Sequence, residues 1–544
     1  MTSFSGPSLD EVEGIGSLTL GGFLDEVAAR FAGDEAVVFD DPLRGDATLR
    51  WTYADLRAET RQIAKALIAA GVERGEGVGI VMGNRPEALA GIFAAAMTGA
   101  IAVPISTFAP APELAGMLEK ADVSVVLTQA RLLSRRFGDD IRALKPGLPS
   151  LREVAVVGEE SWDSFMEGAG GVSEEQLDRR VAEVGPEDPA LVIFSSGTTS
   201  APKGMLHAHR APAQQMWVQA QIFGRHRGTR MWTALPLFWT AGFNTAVGAT
   251  LAAGGCWVAQ ETFEPGDALA LLERERVTEP YTLPHQTALL EEHPSWAGAD
   301  LSALKCVFGK SAFARHPSVN GDTSWIMPVG YGLSETCAFV FAHWSNGTRE
   351  AARRSIGRLL PGVELRVVDP DTGRPLGTGE SGELALRGST LMLRYLGKEP
   401  AECFDADGFF HTGDLGHFDE RGEVHFEGRR TEMIKTGGAN VSPAEIEVAL
   451  RACEPVKLSR VVGVDDPRLD QIVVACVTLK AGAEATEADI RSFLRERVSS
   501  YKVPKRVLFF ADGEIPMTTS ETKVRDEALL ALVHQRLADR NGAP

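Results

Sequence analysis

From Leu18 to Phe308 the chain alternates short apolar runs with segments of helical period, and this alternation restricts the fold more than any other feature. Tyr53–Gly71 carries Leu56, Ile63, Leu67 and Ile68 at helical spacing, with Gly71 placed to cap the C-terminus. Strand-like runs follow at 77–82, 100–105, 123–127 and 154–157, with an alanine-rich helix over 86–98 between the first two. Beyond residue 210 the pattern continues, with helices near 214–223, 242–251 and 267–276. Strands are expected at 231–235, 256–259, 281–283 and 305–308. Such alternation predicts an α/β fold of parallel sheets flanked by helices, with ligands at the carboxyl ends of the strands. After Ser355, glycine-rich and β-branched segments (363–368, 382–387, 423–427) predict a twisted antiparallel, β-barrel-like subdomain. A small α+β unit follows, so the division reads as a loose tail over 1–15, a large domain over 16–430 and a small domain over 431–544.

The stretch Leu191–Arg210 switches abruptly from an apolar strand to Ser195, Ser196, Gly197, Thr198, Thr199 and Ser200, then Pro202, Lys203 and Gly204. Small residues admit a bulky anion, hydroxyls donate hydrogen bonds and lysine adds a charge, which is the chemistry of a phosphate cradle. The spacing is not that of the common P-loop. A polar turn after a strand is the plain alternative. His207 and His209 lack acidic or cysteine partners at ligand spacing, so they read as polar residues at a helix start and not as a metal pair.

At 544 residues the chain exceeds one core, and its net charge of −19 argues against a nucleic-acid partner. Six scattered cysteines suggest reduced thiols in a cytoplasm. The first residues are polar and acidic, unlike a cleavable signal, and no apolar run has transmembrane length, so a soluble protein without a membrane partner is expected.

Three more stretches reinforce the phosphate loop. Gly330–Thr336 (GYGLSET) offers an aromatic ring for a base, a hydroxyl for phosphate and, in Glu335, an oxygen ligand for Mg2+. His411–Asp414 (HTGD) presents a carboxylate suited to a ribose diol. Arg429 and the run Lys435–Asn440 (KTGGAN) add cations and a flexible glycine pair. In this order, the four stretches closely resemble the adenylate-forming superfamily of acyl-CoA synthetases, peptide-synthetase adenylation domains and luciferases, over nearly the whole chain. The resemblance implies that Ser195–Lys203 embraces the β- and γ-phosphates of ATP and that Tyr331, with Gly309 and Gly332 nearby, borders adenine. It further implies that Ser334 and Glu335 face phosphate and Mg2+, that Asp414 and Arg429 hold the ribose, and that Lys523, Thr198 and Glu335 form the catalytic set. Lys435, Gly437, Gly438 and Asn440 would line the CoA tunnel, and Thr431 would occupy the hinge.

The implied reaction joins a carboxylic acid to the α-phosphorus of ATP and then passes the acyl group to CoA. It needs positioning and charge stabilisation rather than a protein nucleophile. This chain departs from the family in three places. Lys523 closes a run, PMTTSETK, that is one residue longer than usual and holds Glu521 where the family has glycine. Trp239 stands where many relatives carry histidine. Gly309, Lys310 and Ser311 replace a Gly-Gly-Ala run. Trp239, Phe243, Phe308, Lys310, Ser311 and Tyr331 are the expected acyl-pocket residues, broad enough for an aromatic, alicyclic or polycyclic acid. A complete acyl-CoA ligase is the leading expectation. The alternatives are a variant that only converts preformed acyl-adenylate, supplied by a partner adenylating enzyme, and a catalytically silent nucleotide- or acyl-binding protein. An oxygenase, a carrier-protein acceptor and a homodimer are further expectations that the sequence leaves open.

Overall fold

The computed structural model describes residues 3–195, 202–309, 311–320, 325–429, 433–436, 439–466, 469–498, 502–517 and 524–541. Two sheets organise the large N-terminal domain. One runs through seven strands, in the order Arg394–Tyr395, Lys203–Ala208, Pro189–Ser195, Ile101–Pro104, Gly77–Val81, Val123–Gln129 and Glu153–Val157. Its last five strands are parallel. Gly77–Val81 is buried along its whole length, as a strand covered on both faces must be. The second sheet sets Glu35–Asp41, Cys256–Ala259, Arg230–Thr233 and Glu279–Pro280 in parallel, with Ala47–Thr52 antiparallel at its edge. Helix Pro86–Met97 is buried at every position. Its small residues allow close approach to the sheet: a Cβ on Gly91 would lie 3.0 Å from Leu127.

The expected barrel-like subdomain is an open antiparallel sheet of five strands. Phe410–Phe418 and Val424–Arg429 form one edge, and the opposite edge is Ser3–Ser5. The first residues are therefore not the loose tail that their polarity suggests. Ser3–Ser5 pairs with Val363–Val368, and Phe4 stacks on Phe418 with ring centroids 3.8 Å apart. That single aromatic contact and the strand pairing explain how so polar a segment is ordered.

Two further expectations shift. Lys305–Phe308 does not form a strand; Lys305 and Cys306 instead both donate backbone N–H groups to the Thr278 carbonyl, at 2.9 and 3.1 Å. Lys203–Ala208, read from sequence as loop leading into a helix, is a strand that folds antiparallel onto Pro189–Ser195, with Ser195 opposite Lys203. The small C-terminal domain has a sheet of Ala439–Val441, Ile434–Thr436, Asp470–Leu479, Val456–Asp466 and Arg506–Phe509. Helices Pro443–Arg451, Glu487–Arg495 and Asp526–Asn541 accompany it. The expected hinge, Thr431, lies outside the described residues.

Candidate adenylate site

Pro189–Ser195 and Lys203–Ala208 pair as the two strands on either side, in sequence, of the run expected to cradle phosphate. Ser196, Gly197, Thr198 and Thr199 lie outside the described residues, and only the backbone of Ser195 is described. Lys203 is exposed at the mouth of the hairpin, its ammonium 5.8 Å from the ring centroid of Tyr395, which borders the same strand.

Gly330–Leu333 and Ala338–Ala342 form a second hairpin, whose turn presents Ser334 and Glu335. Gly332 is required there, since a Cβ would meet the Ala338 carbonyl oxygen at 1.9 Å. The Tyr395 hydroxyl donates to Glu335 Oε1 at 2.7 Å, and Met392 N–H donates to the Glu335 carbonyl at 2.7 Å. His207 is fully buried beneath this turn, with Nε2 2.9 Å from the Ser334 carbonyl. Because a carbonyl only accepts, that nitrogen carries the proton. Burial pushes the His207 imidazole down to about 4, which keeps it neutral. His207 is thus a strand residue supporting the site and not a helix-start residue. His209 does precede helix Arg210–Phe223, and its Nδ1 accepts from Leu20 N–H at 3.3 Å.

The residues expected on the ribose side come together across the edge hairpin, where Asp414 and Arg429 are register partners. Gly413, at φ +74°, lets the chain turn Asp414 inward. The Tyr331 hydroxyl donates to Asp414 Oδ2 at 2.6 Å, and Arg429 Nε stands 3.4 Å from Oδ1. Burial raises the Asp414 carboxyl above its ordinary range, against the opposing pull of the Tyr331 hydrogen bond and the Arg429 charge. Burial and the Asp414 charge drive the Tyr331 phenol far upward, so it remains a donor. Phe341 stacks on the Tyr331 ring at 5.3 Å, and Phe426 leans on it at 5.6 Å.

The proposed pocket residues divide. Trp239 lines a cavity of about 470 Å³ together with Phe108, Phe238, Phe263, Arg135 and Glu261. Phe108 and Trp239 each meet Phe238 edge-on. Phe308 and Ser311 line a different cavity of about 390 Å³, with Tyr281, Trp325 and Met327. Phe243 reaches neither; it is fully buried in the core, 5.9 Å from Phe93. It sits in a π-helical segment, Ala241–Gly248, whose residues at 242–248 are all buried, a detail that spacing alone did not reveal. Tyr331 lies with Asp414 and outside both linings. Gly309 is exposed, and a Cβ there would lie 3.4 Å from Arg349. Lys310, Gly437, Gly438 and Lys523 lie outside the described residues, and the side chains of Lys435 and Asn440 are not described.

The Glu335 carboxylate suits the Mg2+ that accompanies a triphosphate. Oε1 is fixed by Tyr395, and among the described residues Oε2 has no hydrogen-bond partner. One carboxylate with phosphate oxygens and water is an ordinary Mg2+ shell. The described residues hold no cluster of three or more acidic, histidine or cysteine ligands.

A large α/β domain followed by a small C-terminal one, with Tyr331, Asp414 and Arg429 brought together and the Glu335 carboxylate beside Lys203 and Tyr395, is the arrangement expected of an adenylate-forming enzyme. The AMP-binding enzyme family model matches residues 24–396, and the model of the AMP-binding enzyme C-terminal domain matches 445–522. The chain belongs to this family, within its acyl-CoA synthetase branch. It is 31% identical over 492 residues to an indoleacetate–CoA ligase of Aromatoleum aromaticum, which covers 89% of this chain and 94% of that one. A Mycobacterium tuberculosis CoA ligase for a methyl-dioxo-octahydroindenyl propanoate is 31% identical over 504 residues, with the same shares, 89% and 94%. The anthranilate CoA ligase AuaEII, solved with anthranoyl-AMP, superposes with a TM-score of 0.78 at 25% identity, covering 95% of this chain and 97% of its own. No described helix is long and apolar enough to cross a membrane.

Proposed function

We propose that the chain activates a bulky aromatic or alicyclic carboxylic acid as its acyl-adenylate and transfers the acyl group to CoA. The observation carrying this reading is the convergence of Tyr331, Asp414 and Arg429 with the unit made by Lys203, Tyr395 and Glu335. The first set suits a nucleoside and the second a polyphosphate with its metal. Aromatic side chains on the 470 Å³ cavity support a bulky acid, since drug-sized ligands occupy cavities of roughly 300–1,000 Å³. The names of the relatives, among them ligases for indoleacetate, 4-coumarate and a bicyclic propanoate, support the same substrate class.

Adenylation and thioester formation are separable in one experiment. The protein is given an aromatic acid with MgATP and CoA, and separately the synthetic acyl-AMP with CoA. Thioester from both marks a complete ligase. Thioester from acyl-AMP alone marks a chain that needs a partner adenylating enzyme. Neither product across a panel of aromatic, alicyclic and polycyclic acids overturns the ligase reading.

A further inference from the structure

We infer that Tyr395 is a positioning residue for the nucleotide-bound metal, setting the orientation of Glu335 from a short strand paired with the one that carries Lys203. The inference rests on the adenylate-site reading above.

Three elements meet at Tyr395. Its strand, Arg394–Tyr395, pairs antiparallel with Lys203–Ala208, placing Tyr395 opposite Met205 and Arg394 opposite Leu206. Lys203 begins that partner strand, and its ammonium stands 5.8 Å from the centroid of the Tyr395 ring. The hydroxyl at the far end of the ring donates to Glu335 Oε1 at 2.7 Å. One side chain therefore touches both the cation at the phosphate-loop mouth and the carboxylate suited to Mg2+.

Glu335 is held by its backbone as well as its head. Met392 N–H donates to its carbonyl, and His207, four residues along the strand from Lys203, supports the preceding carbonyl of Ser334. These bonds fix where the side chain begins. Among the described residues, only Tyr395 fixes where it ends. A glutamate has three side-chain torsions, and a half-buried donor on one oxygen selects among the rotamers. Once Oε1 is taken, Oε2 is the oxygen left without a hydrogen-bond partner among the described residues, and so the one available to a metal. The neighbouring Lys203 cation is compatible with this arrangement, because the ring face attracts it without consuming a carboxylate.

Hydrogen bonds of this kind to a metal-ligating group typically contribute a factor of about 10–100 in metal affinity. The test uses Mn2+ as an electron-paramagnetic probe with ATP on the full chain. Tyr395→Phe keeps the ring and removes one oxygen. It should weaken Mn2+ binding in the ATP complex by on the order of tenfold, while ATP binding measured in EDTA and the melting temperature stay close to wild type. In a Glu335→Gln background the same change should have no further effect on Mn2+ binding. Equal Mn2+ affinity in wild type and Tyr395→Phe overturns the inference, as does an equal loss in the two backgrounds. If Tyr395→Phe does not fold, Tyr395→His, whose ring N–H can still donate, takes its place. Its Mn2+ affinity should then fall by less than that of Glu335→Gln, and a loss as large overturns the inference. If wild type itself binds ATP but no Mn2+, the inference fails while a nucleotide site stands. If it binds neither, the adenylate reading fails too.

Discussion

The hydroxyl of Tyr331 donates to Asp414 at 2.6 Å, across 83 residues of sequence. The aromatic ring expected beside adenine and the carboxylate expected on the ribose are therefore one mechanical unit. Tyr331→Phe keeps the stack on Phe341 and removes the donor. A hydrogen bond to a charged group is worth about 1.5–3 kcal/mol, so AMP affinity measured by calorimetry should fall roughly tenfold. Because that bond opposes the burial that raises Asp414, its loss should also move the acid limb of AMP binding to higher pH. Unchanged affinity and an unmoved acid limb would show that Asp414 does not depend on Tyr331.

A second prediction concerns Arg85, which has no exposed surface. Its guanidinium faces Asp41 at 3.0 Å, Glu261 at 2.9 Å and Glu87 at 3.3 Å. Gln129 also donates to Glu261, which lines the cavity containing Trp239. Arg85→Met would leave three carboxylates without their shared cation. Breaking a buried pair in this way costs about 3–5 kcal/mol. Urea unfolding should register that loss, and a change below about 1 kcal/mol would show that the acids protonate or hydrate without penalty.

Much of this site was legible because short-range chemistry announces itself. The hydroxyl run after Phe194, the aromatic-glycine-acid sequence at Tyr331–Glu335 and the Thr-Gly-Asp turn each need particular residues close together. The parallel core was legible for a related reason: strands covered on both faces read as unbroken apolar runs. Tyr395 was not, since its role comes from a two-residue strand paired with Lys203–Ala208, and its surroundings (LRYLG) carry no local pattern. Phe243 misled because its residue type suits a pocket or a core equally well. Ser3–Ser5 was invisible because its sheet partner lies some 360 residues away and only Phe4 is apolar. Arg85 was missed because its three acids come from separate elements.

A pH prediction follows from the buried histidines. Burial pushes both His207 and His209 down to about 4, from an ordinary value near 6.5. The folded state then binds fewer protons than the unfolded state between these values, so stability rises with pH across that window. Their contribution is complete above about pH 6.5 and is lost as pH falls toward 4. At pH 5 the loss should be about 2 kcal/mol for each histidine, at roughly 1.4 kcal/mol per unit. His207→Leu removes the Ser334 bond and lowers stability at pH 7, but it should flatten about half of the decline between pH 7 and pH 5 that these two groups cause. Parallel urea titrations at the two pH values check this, and an unaltered decline in the variant would rule it out.

The last prediction concerns Lys523, whose segment, residues 518–523, is bracketed by an ordered pair. Met517 bridges Val524, and Arg525 N–H donates to the Pro516 carbonyl at 2.8 Å. With both ends tied, the segment between them has a set length, one residue more than the family pattern implies. A lysine acting at close range tolerates little displacement, since an error of about 1 Å can cost ~100-fold. Lys523→Ala should therefore remove pyrophosphate release from MgATP and acid while leaving thioester formation from synthetic acyl-AMP within a few-fold of wild type. Deleting Glu521 shortens the segment and removes an acid that can compete for the lysine. Pyrophosphate release should rise toward ~100-fold if the extra residue limits adenylation, with no matching change in thioester formation. Wild-type release already at ordinary turnover, or a deletion without effect, would mean that the segment absorbs its extra residue at no catalytic cost.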